Sequence, residues 1–172
     1  MASVRKGQKM VLVMVGLPAR GKSFTARRLA RYLSWLGYPT RVFNLGEQRR
    51  TELGGRQTHE FFDPSNEEGR RIRQALAQQV LEELVLWLRA NGRVAIYDAT
   101  NHTRARRQAI RERCETEGFA VQFSDNRLTA GYFEAAISAI TWSGTSAASS
   151  LTNSHSPRSM KPSISFVVSE RV

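Results

Sequence analysis

The chain has a single cysteine, Cys114, among 172 residues. One cysteine excludes an internal disulfide framework and any cysteine-rich zinc site, and it fits a reducing compartment. Cys114 falls within a helical pattern and reads as a packing residue. The three histidines, His59, His102 and His155, show no metal-ligand spacing and are assigned no role. No apolar stretch approaches the roughly 18 residues that a membrane span needs. Arg5, Lys6 and Lys9 precede the apolar run Met10 to Val15, which mimics a weak signal peptide. That run is too short and leads directly into a glycine-bearing turn, so a buried strand is expected instead. Acidic residues are scarce beside basic ones, 15 against 26, giving a net charge of +11. Such a balance suggests anionic partners: nucleic acid, anionic lipid or phosphorylated small molecules. Arginine supplies most of it, and its planar fork matches phosphate oxygens in pairs.

No internal repeat is visible, but composition changes near residue 125. Residues 1–125 hold 22 Lys and Arg, 13 Asp and Glu and five Ser, whereas residues 126–172 hold four, two and eleven. Ser143 to Ser163 is a run of Ser, Thr, Ala, Asn and Pro of the kind that stays disordered. The expected organisation is an extension at 1–8, a domain at 9–125 and a Ser-rich tail at 126–172.

The domain reads as alternating strands and helices. Met10 to Val15 is a buried strand. Lys22 to Leu36 is a helix with Leu29, Leu33 and Leu36 on one side, ended by Gly37 and Pro39. Thr40 to Asn44 is a strand, and residues 45–64 are mostly loop. Ser65, Asn66, Glu67 and Glu68 resemble a capping box opening a long helix with Ile72, Leu76, Val80, Leu84 and Leu88 at four-residue steps. Asn91 and Gly92 stop it. Val94 to Tyr97 is a strand ending at Asp98. Thr103 to Glu117 is a helix ended by Gly118, and Phe119 to Phe123 is a strand. Within the tail, a helix at Ala130 to Ile140 and a strand at Ser165 to Val168 are expected. The alternation implies a mainly parallel sheet with helices on both faces. Ligands of such a sheet bind at the carboxyl ends of its strands. The loops after Val15, Asn44 and Tyr97 should therefore line one crevice.

The segment Gly16-Leu17-Pro18-Ala19-Arg20-Gly21-Lys22-Ser23 lies between the first strand and the first helix. It has the spacing of a phosphate-binding P-loop. Gly16 and Gly21 allow backbone angles that other residues resist. The turn aims successive amide hydrogens at phosphates, and the helix adds its positive amino end. Lys22 is placed to reach the β- and γ-phosphates, and Ser23 to ligate Mg²⁺. Asp98 closes the third strand, where a carboxylate can hold Mg²⁺ through water or accept a proton from a substrate hydroxyl. Thr100 and Asn101 follow it. Arg49, Arg50, Arg73, Arg104, Arg106 and Arg107 stand where an anionic acceptor would approach.

Four segments make this set recognisable: residues 16–23; Val42-Phe43-Asn44-Leu45-Gly46-Glu47-Gln48-Arg49-Arg50; Phe61-Phe62-Asp63-Pro64-Ser65-Asn66-Glu67-Glu68; and Asp98-Ala99-Thr100-Asn101-His102-Thr103-Arg104. In order and spacing the chain resembles the kinase domain of the 6-phosphofructo-2-kinase/fructose-2,6-bisphosphatase family. The resemblance implies transfer of the γ-phosphoryl group of ATP to the 2-hydroxyl of fructose 6-phosphate, with Mg²⁺, in the cytoplasm. It implies an α/β, P-loop NTPase-type three-layer domain with a mainly parallel sheet. It places ATP on residues 16–23, the acidic catalytic or metal-linked role on Asp98, and fructose 6-phosphate on Arg49, Arg73, Thr100 and Arg106. It covers residues 9–125 only. The further helices, site cysteine, adenine contacts, lid and bisphosphatase histidine of such proteins have no counterpart after Asp125, so the domain is expected to be C-terminally incomplete and its transfer rate reduced. The alternatives are another small P-loop kinase, such as one acting on polynucleotide ends, and a non-catalytic ATP-binding fragment. Binding to nucleic acid as such is disfavoured, since no RNA-binding aromatic motif accompanies the charge.

Overall fold

The structure, a computed structural model, describes residues 8–55 and 57–125. The helix expected at Ala130 to Ile140, the strand at Ser165 to Val168, the Ser-rich segment and His155 lie outside the described residues. In chain order the elements are β1 (Met10–Val15), α1 (Lys22–Trp35), β2 (Thr40–Asn44), α2 (Leu45–Leu53), α3 (His59–Phe62), α4 (Glu67–Ala90), β3 (Val94–Asp98), α5 (Arg104–Glu115) and β4 (Ala120–Asp125).

The four strands form one sheet in the order β2-β3-β1-β4, and every pairing is parallel. Parallel sheets are covered on both faces, and alternate residues of β1 divide accordingly. Val11 and Val13 pack against Val80, Leu84, Leu88 and Ile110, the inward stripes of α4 and α5. Met10, Leu12 and Met14 pack against Ala26, Leu29 and Leu33 of α1. The domain therefore has three layers, with α1 on one face and α4 and α5 on the other. Each aliphatic side chain fully buried in these clusters contributes roughly 1.5–3 kcal/mol. Cys114 lies in the α4–α5 cluster, and burial pushes its thiol up to about 12, which keeps it protonated and inert.

The stop signals act as expected. Gly37 (φ 87°) and Gly118 (φ 75°) take the left-handed conformation after α1 and α5. In each case the glycine amide and the next amide bond back to carbonyls of the last turn, Ser34 and Leu33 for α1, Glu115 and Cys114 for α5.

Two expectations are corrected. Residues 45–64 are not mostly loop, because they hold α2 and α3. Asn44 ends β2 and its side chain accepts from the Glu47 amide, so the strand passes straight into α2 with no intervening loop. Neither α2 nor α3 buries a residue, so no apolar stripe announces them. The cap of α4 is Asn66, whose side chain accepts from the Gly69 amide at 2.7 Å. Ser65 lies one position before the cap, and its hydroxyl and amide both donate to Asp63.

An ion network fastens α4 to α5. Arg113 donates a fork to Glu82 at 2.7 and 2.6 Å and a third bond to Glu117 at 2.8 Å. Arg89 donates two more to Glu117, both at 2.6 Å. Hydrogen bonds from Arg89, then Arg113, pull the Glu117 carboxyl from its ordinary 4.5 to about 2. Bonding from Arg113 also lowers Glu82. A carboxyl held down in the folded state contributes stability that is present above its unfolded value and is lost as pH falls through the folded one. The melting-temperature gap between wild type and Arg113→Met is thus expected to stay constant above about pH 5 and to close between pH 4.5 and about 2. Thermal melts across that range check it, and a gap that is flat down to pH 2 would contradict it.

Candidate functional site

The sheet register carries the site. Met14 and Asn44 are both in register with Asp98, so β1, β2 and β3 end in one row. From that row three segments converge. Residues 16–21 turn between β1 and α1, with Gly16 (φ 139°), Ala19 (φ 57°) and Gly21 (φ 77°) all at positive φ. Gly21 is the N-cap of α1 and has no side chain to close the cap, so the first amides of the helix face the loop. The Gly16 amide donates to the Thr100 carbonyl at 3.0 Å, which stitches the loop to the segment after β3.

Asn44 is the bridge. Its side-chain nitrogen donates to Ser23 Oγ at 3.1 Å and to the Asp98 carboxylate, while its oxygen caps α2. Ser23 and Asp98, placed 75 positions apart in the chain (98 − 23), thus share one amide donor. Asp98 is 3% exposed and Lys22 8%. Lys22 is folded back on its own loop, its ammonium donating to the Leu17 carbonyl at 2.5 Å. Burial lowers the Lys22 pKa, and the nearby Asp98 charge opposes that shift. Leu17, Pro18, Ala19 and Arg20 form the exposed outer rim.

The arginines singled out in the sequence fall into two groups. Arg49 and Arg73 flank α3, with Arg49 4.8 Å from the centroid of the Phe62 ring and Arg73 5.4 Å from that of Phe61. Arg73 also donates to the Phe61 carbonyl. Arg49 Nε is buried without a hydrogen-bond partner among the described residues. Burial first, and the neighbouring Arg50 second, lower the pKa of its guanidinium. Arg106, in the first turn of α5, is held elsewhere, by Asn101 at 3.0 Å and by the Tyr97 hydroxyl at 3.5 Å. Thr100 is half-buried and contributes its carbonyl to Gly16.

Asn44 and Tyr97 were given no site role by the sequence, and Asn101, expected as a polar group at the crevice, is fully buried. Asn44 was detectable, since it is the last residue of a strand whose end the crevice rule had already marked. Tyr97 donates to the Ala77 carbonyl at 3.1 Å, and burial pushes its phenol up against the opposing charge of Arg106. Nothing in the local pattern distinguishes it from a core aromatic.

A buried carboxylate and lysine beneath a left-handed glycine turn, at the carboxyl ends of parallel strands, define a P-loop kinase-type α/β domain. The fold is similar to that of the Mycobacterium tuberculosis APS kinase CysC in complex with AMPPNP and APS (TM-score 0.51, 17% identity, 74% of this chain and 68% of that chain). The chain belongs to the 6-phosphofructo-2-kinase family, whose model matches residues 1–128. It is 44% identical over 117 residues to the 6-phosphofructo-2-kinase/fructose-2,6-bisphosphatase 3 of Bos taurus, covering 67% of this chain and 25% of that protein. It is 42% identical over 115 residues to the 6-phosphofructo-2-kinase/fructose-2,6-bisphosphatase of Arabidopsis thaliana, covering 67% of this chain and 16% of that protein. The chain therefore spans a quarter or less of the length of these curated relatives.

Close backbone contact fixes the arginine flank. A Cβ on Gly69 would stand 2.7 Å from the Phe61 carbonyl and 3.2 Å from an Arg73 nitrogen. Alanine favours a helix over glycine by up to about 1 kcal/mol, but overpacking against a backbone atom costs about 1–3 kcal/mol. Gly69→Ala is expected to destabilise the domain, whereas Gly55→Ala, with nothing within 4 Å, leaves it unchanged. Urea unfolding of both variants checks this, and a Gly69→Ala midpoint at or above wild type would contradict it.

Proposed function

We propose that residues 9–125 bind ATP on the loop 16–23 and transfer its γ-phosphoryl group to the 2-hydroxyl of fructose 6-phosphate. The observation that carries this reading is the bridge by which Asn44 joins Ser23 of the loop to the buried Asp98. It brings a phosphate cradle and a proton acceptor to one point, which is what phosphoryl transfer needs.

In this reading the loop amides and the amino end of α1 take the phosphates, and Lys22 leaves the Leu17 carbonyl for the β- and γ-phosphates. Asp98 receives the proton of the attacking hydroxyl. The new bond joins that hydroxyl oxygen to the γ-phosphorus, the bond to the β,γ-bridging oxygen breaks, and ADP leaves with the released electron pair. Arg49, Arg73, Thr100 and Arg106 hold fructose 6-phosphate, since an acceptor phosphate needs guanidinium forks of its own. The unpartnered Nε of Arg49 fits that role.

The donors also fit magnesium. Ser23 Oγ and the Asp98 carboxylate are hard oxygen donors sharing one partner. Among the described residues, no three His, Cys, Asp or Glu side chains form a metal cage. Magnesium typically completes its shell with water and phosphate oxygens, so two protein oxygens suffice. When bound, the ion neutralises charge on the β- and γ-phosphates. Among the described residues no helix is long and apolar enough to cross a membrane. A cytoplasmic setting and a boundary at residue 125, with 126–172 as a separate tail, belong to the same proposal.

The test is fructose 2,6-bisphosphate formation by the purified chain, with an oligonucleotide 5′-hydroxyl offered separately. Wild type is expected to phosphorylate the sugar phosphate alone, and Lys22→Ala to lower kcat by about 10²–10³, the scale of losing one transition-state charge contact. Labelled oligonucleotide instead would reassign the acceptor. ATP binding with no transfer to either would leave a nucleotide-binding domain without this activity.

A further inference from the structure

The segment after β3 contains a side chain that the proposed chemistry leaves unused. Asn101 is 1% exposed and sits at φ 45°. Asparagine is among the few side-chain-bearing residues that enter this region readily. Its amide faces two ways. Nδ2 donates to the Met14 carbonyl at 2.9 Å, and Oδ1 accepts from Arg106 Nε at 3.0 Å. A carbonyl needs a donor and an arginine nitrogen needs an acceptor, so only one orientation of the amide satisfies both. Met14 is the residue of β1 in register with Asp98, two positions before Gly16. One amide thus joins the strand under the phosphate loop to a guanidinium on α5.

The surroundings hold this link in place. Arg107 donates to the carbonyls of Asn101 and His102 at 3.2 and 2.6 Å, while the Thr100 carbonyl accepts from Gly16. Arg106 also donates to the Tyr97 hydroxyl at 3.5 Å, which in turn donates to Ala77 on α4. Arg106 is therefore gripped at Nε by Asn101 and more loosely at one terminal nitrogen, Nη2, by Tyr97, and its remaining N–H groups are those that would meet an anion.

We propose that Asn101 is a positioning residue that aims Arg106 at the acceptor phosphate and couples that arginine to the strand carrying the nucleotide loop. This rests on the reading that Arg106 meets fructose 6-phosphate. A buried asparagine that merely satisfies its neighbours would stabilise the fold without changing what Arg106 binds.

Three variants separate these roles. Asn101→Gly keeps the backbone conformation and removes both bonds. Asn101→Asp keeps an acceptor for Arg106 but places a carboxylate against the Met14 carbonyl. Arg106→Ala removes the guanidinium. In the full chain, the Arg106 Nε–H signal is followed by ¹⁵N NMR, and fructose 6-phosphate is titrated calorimetrically in the presence of AMPPNP. Wild type is expected to show a solvent-protected Nε–H. Asn101→Gly loses that protection and binds fructose 6-phosphate about tenfold more weakly, with AMPPNP affinity held within about threefold. Asn101→Asp restores the protection and most of the affinity even though it melts at a lower temperature. In the Arg106→Ala background, Asn101→Gly causes no further loss, because the two act as one unit.

Equal sugar-phosphate affinity in wild type and Asn101→Gly would overturn the proposal, as would additive losses in the double variant or a protected Nε–H in Asn101→Gly. Failure of the wild type to bind fructose 6-phosphate at all would sink the acceptor reading itself, and the role of Asn101 in it. If Asn101→Gly does not fold, the Asn101→Asp variant decides. Tenfold weakened binding there, with the Nε–H still protected, contradicts positioning through Arg106.

Discussion

The row formed by Asn44, Asp98 and Met14 at the carboxyl ends of three parallel strands is the constraint on which the remaining geometry depends. Strand register is set by which side chains face which helix layer, and a slip of one residue would exchange the residues packed under α1 with those packed under α4 and α5. Val11 and Val13 on one face, with Met10, Leu12 and Met14 on the other, hold β1 in place. The same packing that stabilises the sheet therefore fixes where Asp98 lies relative to Ser23. Apolar burial does the energetic work at some distance from the chemistry, and the polar residues at the strand ends inherit its precision.

Burial of polar groups at that row is costly unless each finds a partner. Each of the central ones does. Asp98 receives the Asn44 amide, Lys22 donates to Leu17, and Asn101 is satisfied on both sides. Lys22 and Asp98 lie close enough for the carboxylate to moderate the desolvation of the ammonium. Among the described residues Arg49 is the exception, with a buried Nε that has no hydrogen-bond partner.

The strands and long helices were legible because their apolar residues recur at the spacing of the buried face. β1, β2 and α4 lie within two residues of their expected limits, and Gly37 and Gly118 stop their helices as read. The helices α2 and α3 were not legible, because neither buries a residue and so neither shows an apolar stripe. Within the site, the loop 16–23 and Asp98 follow from local spacing alone. The partnership of Asn44 with both Ser23 and Asp98 does not, since it depends on strand order, and β3 lies between β2 and β1 although it comes later in the chain. The hold of Asn101 on Met14 is hidden for the same reason, spanning 87 positions.

The central claim is that three segments distant in the chain form one nucleotide site, and hydrogen–deuterium exchange of the full chain with and without AMPPNP and Mg²⁺ tests it most directly. Slowed exchange of the amides in 16–23, 44–47 and 98–101 together, with the amino ends of β1 and β4 unchanged, is the predicted footprint. Protection confined to residues 16–23, or absent from them, would contradict it.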